Sequence, residues 1–171
     1  TPVGQIASRR LIDSALQQNA RAFLAEFAKN YQPGDGDLAW TRITLWRAQL
    51  AALFELHQAR SVKSVTVIGS DNSPSADLLA MWLGQRLGVR AQKKTEFQGA
   101  LVHGIFGVEV EFADGELSVH RPDQVATIRQ TGSPESSVLL PRRSDQDCLV
   151  EDMRYLGEDE VFGEVLRGFL A

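Results

Sequence analysis

The sequence predicts a mixed α/β fold: one parallel β-α-β unit continued by an antiparallel meander, with helices packed on the sheet and two helices at the C-terminal end. Three observations carry this prediction. A β-branched run at 64–69 precedes a proline-led helical stretch and a second extended run near 89–92, the order of a parallel crossover unit. Asp114-Gly115 separates two extended segments, a hairpin signal. Ser144 and Asp159 each head a helical pattern close to the end of the chain.

Taken in order, 9–19 reads as a polar connector with one apolar patch, Leu11-Ile12. A short amphipathic helix is expected over 20–29, where Ala20, Phe23, Leu24 and Phe27 share a face. Pro33-Gly34-Asp35-Gly36 ends it, and Asp37 is placed to cap a helix over 38–56. In that helix Trp40, Ile43, Trp46, Leu50, Ala51, Leu53 and Phe54 fall on one wide arc, while Leu38, Leu45, Ala52 and Leu56 make a second stripe. Two apolar sides predict a mostly buried helix, between layers or under a partner. Arg47 lies inside the first arc, so its guanidinium is expected to be largely buried and to find a carboxylate or carbonyl.

Ser73-Pro74 pairs a good cap with a good first helical residue, and Gly88 suits a left-handed terminus at the far end. Ser75, one position inside the first turn, has no capping duty, so its hydroxyl is expected to be dispensable for stability. Further on, 100–112, 117–120, 125–129 and 137–140 read as strands, with a turn at Gly132-Ser133-Pro134. The last two helices are expected to end near 156 and 169, the second docking through Val161, Phe162, Val165, Leu166 and Phe169. The chain divides into a connector with a short helix, 1–36, and one domain, 37–171. Thr1-Pro2-Val3-Gly4, with neither an initiator Met nor a signal pattern, favours a piece of a longer protein.

Composition narrows the function. The 171 residues are 43% apolar and 23% charged, with a net charge of −4 and both signs interspersed, so no basic stripe marks a nucleic-acid binder. No apolar run approaches the roughly 20 residues a membrane span needs. A lone cysteine, Cys148, allows no internal disulfide and fits a reducing cytoplasm. It stands early in a helix, whose dipole favours a thiolate, but Asp145 and Asp147 oppose that, and a structural cysteine is expected.

Catalytic signatures are missing. His57, His103 and His120 show no metal-ligand spacing, and no metal or cofactor is called for. Glu109 and Glu111 share one strand face and are explained by solvent. The loop Gly69-Ser70-Asp71-Asn72-Ser73-Pro74-Ser75 is the most site-like segment, because it joins a strand to a helix N-terminus that can bind an anion. It matches neither a P-loop nor a nucleophile elbow, and capping by Ser73 and Asp71 accounts for its residues.

Five motifs occur in an order that resembles the C-terminal domain of the OpcA family. They are Arg9-Arg10-Leu11-Ile12-Asp13-Ser14; Asp37-Leu38-Ala39-Trp40-Thr41-Arg42 with Trp46-Arg47; and Asp71-Asn72-Ser73-Pro74-Ser75-Ala76 with Trp82-Leu83. Arg121-Pro122-Asp123 with Ala126-Thr127-Ile128, and Leu140-Pro141-Arg142-Arg143-Ser144, complete the set. The resemblance implies a bacterial cytoplasmic protein without catalysis of its own, which promotes assembly or activation of glucose-6-phosphate dehydrogenase in the oxidative pentose phosphate pathway. It also implies a further region before Thr1. Thioredoxin-dependent control, linked to some relatives, would need more than one cysteine in this chain.

A regulator needs aromatic and arginine anchors on a contact surface. The residues proposed for partner or ligand contact are Trp40, Arg42, Trp46, Arg47, Asp71, Ser73, Ser75, Arg142 and Arg143. The alternative is a sensing domain that holds a sugar phosphate or nucleotide phosphate at the Ser73 helix start, with Arg142 and Arg143 as counter-charges. A hydrolase using Ser70 or Ser73 lacks a base placed by any pattern.

Overall fold

The structure, a computed structural model, describes residues 7, 9–55, 60–155 and 157–170. In chain order its elements are β1 (Leu11–Ile12), α1 (Ala20–Lys29), β2 (Gly36–Asp37), α2 (Leu38–Arg42), α3 (Thr44–Glu55), β3 (Val62–Gly69), α4 (Pro74–Leu87) and β4 (Ala91–Lys94). They continue as β5 (Glu96–Phe97), β6 (Ala100–Leu101), β7 (Ile105–Phe112), β8 (Gly115–His120), β9 (Val125–Gln130), β10 (Ser136–Leu139), α5 (Asp145–Arg154) and α6 (Glu160–Arg167).

The parallel unit forms as expected: β3 and β4 pair in parallel from Val65↔Ala91 to Ile68↔Lys94, with α4 between them. The α4 start is capped by Ser73, whose side chain accepts from the Ala76 N–H, and its end by Gly88 at φ 65°. An antiparallel meander β7-β8-β9-β10 joins the other side of β3, so the sheet order is β10-β9-β8-β7-β3-β4. Register explains the two faces. Val67, Val108, Val119 and Ile128 stand side by side across four strands, as do Val65, Val110 and Leu117, and all lie in the core. The intervening row, Thr66, Glu109, Ser118 and Arg129, is polar, and Glu109 accepts or shares a hydrogen bond with His120 Nε2 at 3.1 Å. An antiparallel sheet with one wet face alternates in this way.

Helices cover the apolar face. Leu24 and Phe27 of α1, Trp40 of α2, Trp46, Leu50 and Leu53 of α3, Leu78, Leu79 and Leu83 of α4, and Phe162, Val165 and Leu166 of α6 enter the same core.

Several sequence expectations are corrected. The helix over 38–56 is two helices, broken at Ile43, which takes φ −93° and ψ 6°. Thr41, Ile43 and Thr44 are β-branched and lose side-chain freedom in a helix, which weakens it there. The break also aims Trp40 at Phe162 and Trp46 at Arg121. Most of the first apolar arc is buried, but its Phe54 is half-buried and its Ala51 exposed; in the second stripe Leu38 and Leu45 are half-buried and Ala52 is exposed, so α3 is not enclosed on two sides. Leu56 and His57 lie outside the described residues. The supposed connector is built into the fold: β1 pairs in parallel with β2, Asp13 caps a short 3-10 turn at Ser14–Leu16, and Arg10 ion-pairs with Asp35. The extended run at 100–112 is interrupted before β7, and β6 pairs instead with β5. The last helices end at Arg154 and Arg167, the second followed by a 3-10 turn, Gly168–Leu170. No helix among the described residues is long and apolar enough to cross a membrane.

Candidate functional site

A cavity of about 290 Å³ opens where β3 runs into α4. It collects Arg42, Trp46, Ser73, Ser75, Arg142 and Arg143, six of the nine contact residues proposed from sequence, together with Ser70, Asn72 and Arg121. Among the described residues no carboxylate lines it.

Local chemistry builds each wall. Gly69 lets the strand end meet the helix start, because a Cβ there would sit 2.6 Å from Ala76 Cβ. The turn is closed on Gly104: the Ser70 N–H donates to Gly104 O at 2.8 Å, and the Gly104 N–H donates to Ser70 Oγ at 3.2 Å. Ser75 Oγ donates to Ala39 O at 2.9 Å, which ties α4 to α2. That corrects the expectation of a dispensable hydroxyl. Ser73→Ala and Ser75→Ala are each expected to cost about 1 kcal/mol, the first through the lost cap and the second through a lost, partly buried hydrogen bond. Urea denaturation of the two variants checks this; a Ser75→Ala midpoint equal to that of the unsubstituted chain would show that the Ala39 bond contributes nothing.

The four arginines differ in their compensation. Arg42 forms a fork on Asp13 at 2.8 and 2.6 Å and reaches Asp145 at 2.8 Å. This pairing holds the Asp13 carboxyl below its ordinary range. Arg143 donates to Thr41 O at 2.9 Å and pairs with Glu151 at 2.6 Å. Arg142, on the surface, has only His103 O at 3.1 Å among the described residues. Arg121 is 5% exposed and donates to Ile105 O at 2.8 Å and Leu140 O at 3.3 Å, with the Trp46 ring 5.2 Å from its guanidinium. Burial, and to a smaller degree the charge on Arg142, push Arg121 down to about 10.

Trp40 and Arg47 belong to a second, more acidic groove of about 430 Å³, between α2, α3 and the C-terminal helices. Trp40 Nε1 donates to Asp159 Oδ2 at 2.7 Å. Neither the carboxylate nor the carbonyl expected to pair with Arg47 is its partner among the described residues. Its guanidinium lies half-buried, 3.8 Å from the centre of the Trp40 ring, and donates to Thr44 Oγ1 at 3.4 Å. An indole face supplies the attraction that a carboxylate was expected to give. Burial lowers the Arg47 pKa, against the pull of Asp159 and Glu151. Asp71 is in neither cavity wall: it is exposed, and its carbonyl accepts from Lys93 Nζ at 2.6 Å.

One wall of this groove is α5, whose polarity is inverted. Its acids hold it to the body: Asp145 to Arg42, Glu151 to Arg143 and to Thr44 Oγ1, and Asp152 to Arg9. Its larger apolar residues face outward, with Leu149 42%, Val150 52% and Met153 61% exposed, and Tyr155 beyond its end 79% exposed. Cys148 alone turns in; it is fully buried and burial pushes its thiol up, as suits a structural cysteine.

Sequence reasoning missed Arg121 and the outer face of α5. Arg121-Pro122 stands at the end of a strand, but its burial depends on carbonyls 16 and 19 residues away. The apolar spacing at 149, 150 and 153 was visible, although such a stripe ordinarily means core. Among the described residues no cluster of three or more His, Cys, Asp or Glu is placed to hold a metal.

Fold and site together define a mixed α/β domain with an arginine-lined pocket at a strand-to-helix turn and an outward-facing apolar helix. Residues 33–166 match the family described as the C-terminal domain of a glucose-6-phosphate dehydrogenase subunit (OpcA), and the chain belongs to that family. No curated protein and no solved structure matches it.

Proposed function

We propose that this domain is a non-catalytic cytoplasmic regulator that promotes assembly or activation of glucose-6-phosphate dehydrogenase by direct contact. The family description links the chain to that enzyme. The observation that carries the contact is the inverted helix α5. A solvent-facing run of Leu149, Val150, Met153 and Tyr155 costs solubility in a free protein and is satisfied by a partner. Salt bridges at three points along the helix present that face without further ordering, which lowers the entropic cost of docking. The adjoining groove adds Trp40 and Arg47, residue types enriched where binding energy concentrates.

The test pairs Val150→Glu with Met153→Glu in the protein mixed with its cognate dehydrogenase. Both side chains are exposed, so stability should stay within about 0.5 kcal/mol. Co-elution with the dehydrogenase and stimulation of its activity should fall at least tenfold. Unchanged stimulation would move the contact elsewhere, and turnover of glucose 6-phosphate with NADP by the purified protein alone would overturn the non-catalytic reading.

A further inference from the structure

We propose that the cavity at the start of α4 binds a phosphate group, free or as the monoester of a small metabolite, between the helix N-terminus and the pair Arg121 and Arg142. The inference goes beyond the regulator reading and does not depend on it.

Charge makes the first argument. The chain is net negative at −4, yet among the described residues this cavity is lined by four arginines and no acid. Arg42 and Arg143 have their carboxylates behind them, whereas Arg121 and Arg142 have only main-chain carbonyls there. A guanidinium as buried as Arg121 is costly without a counter-charge. Its neighbour Arg142 makes this worse, and an anion between them reverses both penalties. The depressed Arg121 pKa has the same origin.

Unused donors make the second. Arg121 Nε and Trp46 Nε1 are buried without an acceptor among the described residues, and both residues are more than nine-tenths buried in the wall of this same cavity. Buried donors are ordinarily satisfied, and both of these orphans belong to residues of this one cavity wall. The helix end adds a third source. α4 has 14 residues, and of its first-turn donors the Ala76 N–H is taken by Ser73, while that of Ser75 has no acceptor among the described residues. The helix dipole favours negative charge at this end.

Geometry sets the ligand class. Arginine forks match the oxygens of a phosphate, and two of them with a helix end suit a dianion. A volume of about 290 Å³ lies at the lower limit for ligand pockets, which suits a phosphorylated small molecule. Gly104 lets Arg142 lie against the cavity wall: it takes φ 62°, and a Cβ there would fall 2.6 Å from Arg142 Nη1.

The probes are inorganic phosphate and glucose 6-phosphate, titrated into the protein with sodium chloride at equal ionic strength as the reference, and read by calorimetry and thermal shift. Both probes should bind and raise the melting temperature beyond the chloride reference. Tighter binding of the ester assigns a phosphorylated metabolite, and equal binding assigns free phosphate. Arg142→Ala, an exposed change that spares the fold, should weaken binding at least tenfold. Arg121→Gln should abolish it, and Arg129→Ala, on the far sheet face, should leave it unchanged. A melting temperature no higher than in chloride, or full affinity in Arg142→Ala, overturns the proposal.

Discussion

Phe162→Ala is expected to lose about 3–5 kcal/mol of folding stability, the range for removing a large aromatic from a packed core. Phe162 is fully buried in α6 and lies where three elements meet. Its ring stacks on Trp40 of α2 with centroids 5.6 Å apart, and meets the Tyr31 ring edge-on at 6.0 Å. Tyr31 in turn contacts Phe27 of α1 edge-on, so one aromatic chain joins the first, second and last helices. Alanine would leave a cavity that none of these rings can fill without leaving its other partner. Small domains are stable by only about 5–15 kcal/mol, so the loss would be a large fraction of the total. Phe162→Leu, which keeps most of the volume, should lose much less. Urea denaturation with a fitted slope distinguishes these outcomes, and a loss below about 1 kcal/mol for Phe162→Ala would show that the aromatic junction is not what holds α6.

Asp37→Ala is the second large effect, expected at about 2–4 kcal/mol because it removes a helix cap and strands a buried donor. The Asp37 side chain is fully buried, and its Oδ1 accepts from the Ala39 N–H at 2.9 Å and the Ser14 N–H at 3.2 Å. It therefore starts α2 and holds the 3-10 turn against it. Burial is the largest influence on this carboxyl and raises its pKa, with the accepted hydrogen bonds opposing. A folded-state pKa above the unfolded value means that the native state prefers the protonated form. The stability this confers is fully present below the ordinary carboxylate value of about 4 and is lost as pH rises through the raised value. Asp37→Asn keeps the Oδ1 acceptor and carries no charge. Its stability relative to the unsubstituted chain should accordingly improve between pH 4 and pH 7, while Asp37→Ala stays destabilised across that range. A stability difference for Asp37→Asn that does not change with pH would sink the account.

Much of the candidate site was legible because its cues are local. Ser73-Pro74 announces a helix start whatever lies around it, and the strand before it places that start at a sheet end, where loops collect functional groups. Arg142-Arg143, far along the chain, was linked to this turn only by its charge, and the fold brings it there. Asp71, adjacent in sequence, ends up outside the pocket, since the turn that points Ser70 at Gly104 directs Asp71 toward Lys93.

By itself the sequence determined the parallel unit followed by the meander, the caps at Asp37, Ser73, Ser144 and Asp159, and the alternation that gives the meander one apolar and one polar face. These follow from interactions within a few residues: a side chain accepting from its own helix, or a period of two in a strand. The tertiary structure fixed the break at Ile43, which the β-branched run there only permits, and alone decided the burial of Arg121 and the inversion of α5. Each depends on groups distant in sequence: Phe162 for the aim of Trp40, Ile105 O and Leu140 O for Arg121, and Arg9, Arg42 and Arg143 for the acids of α5. A stripe of apolar residues says that a helix has a face to bury; whether the chain or a partner buries it depends on which charges wait on the other side.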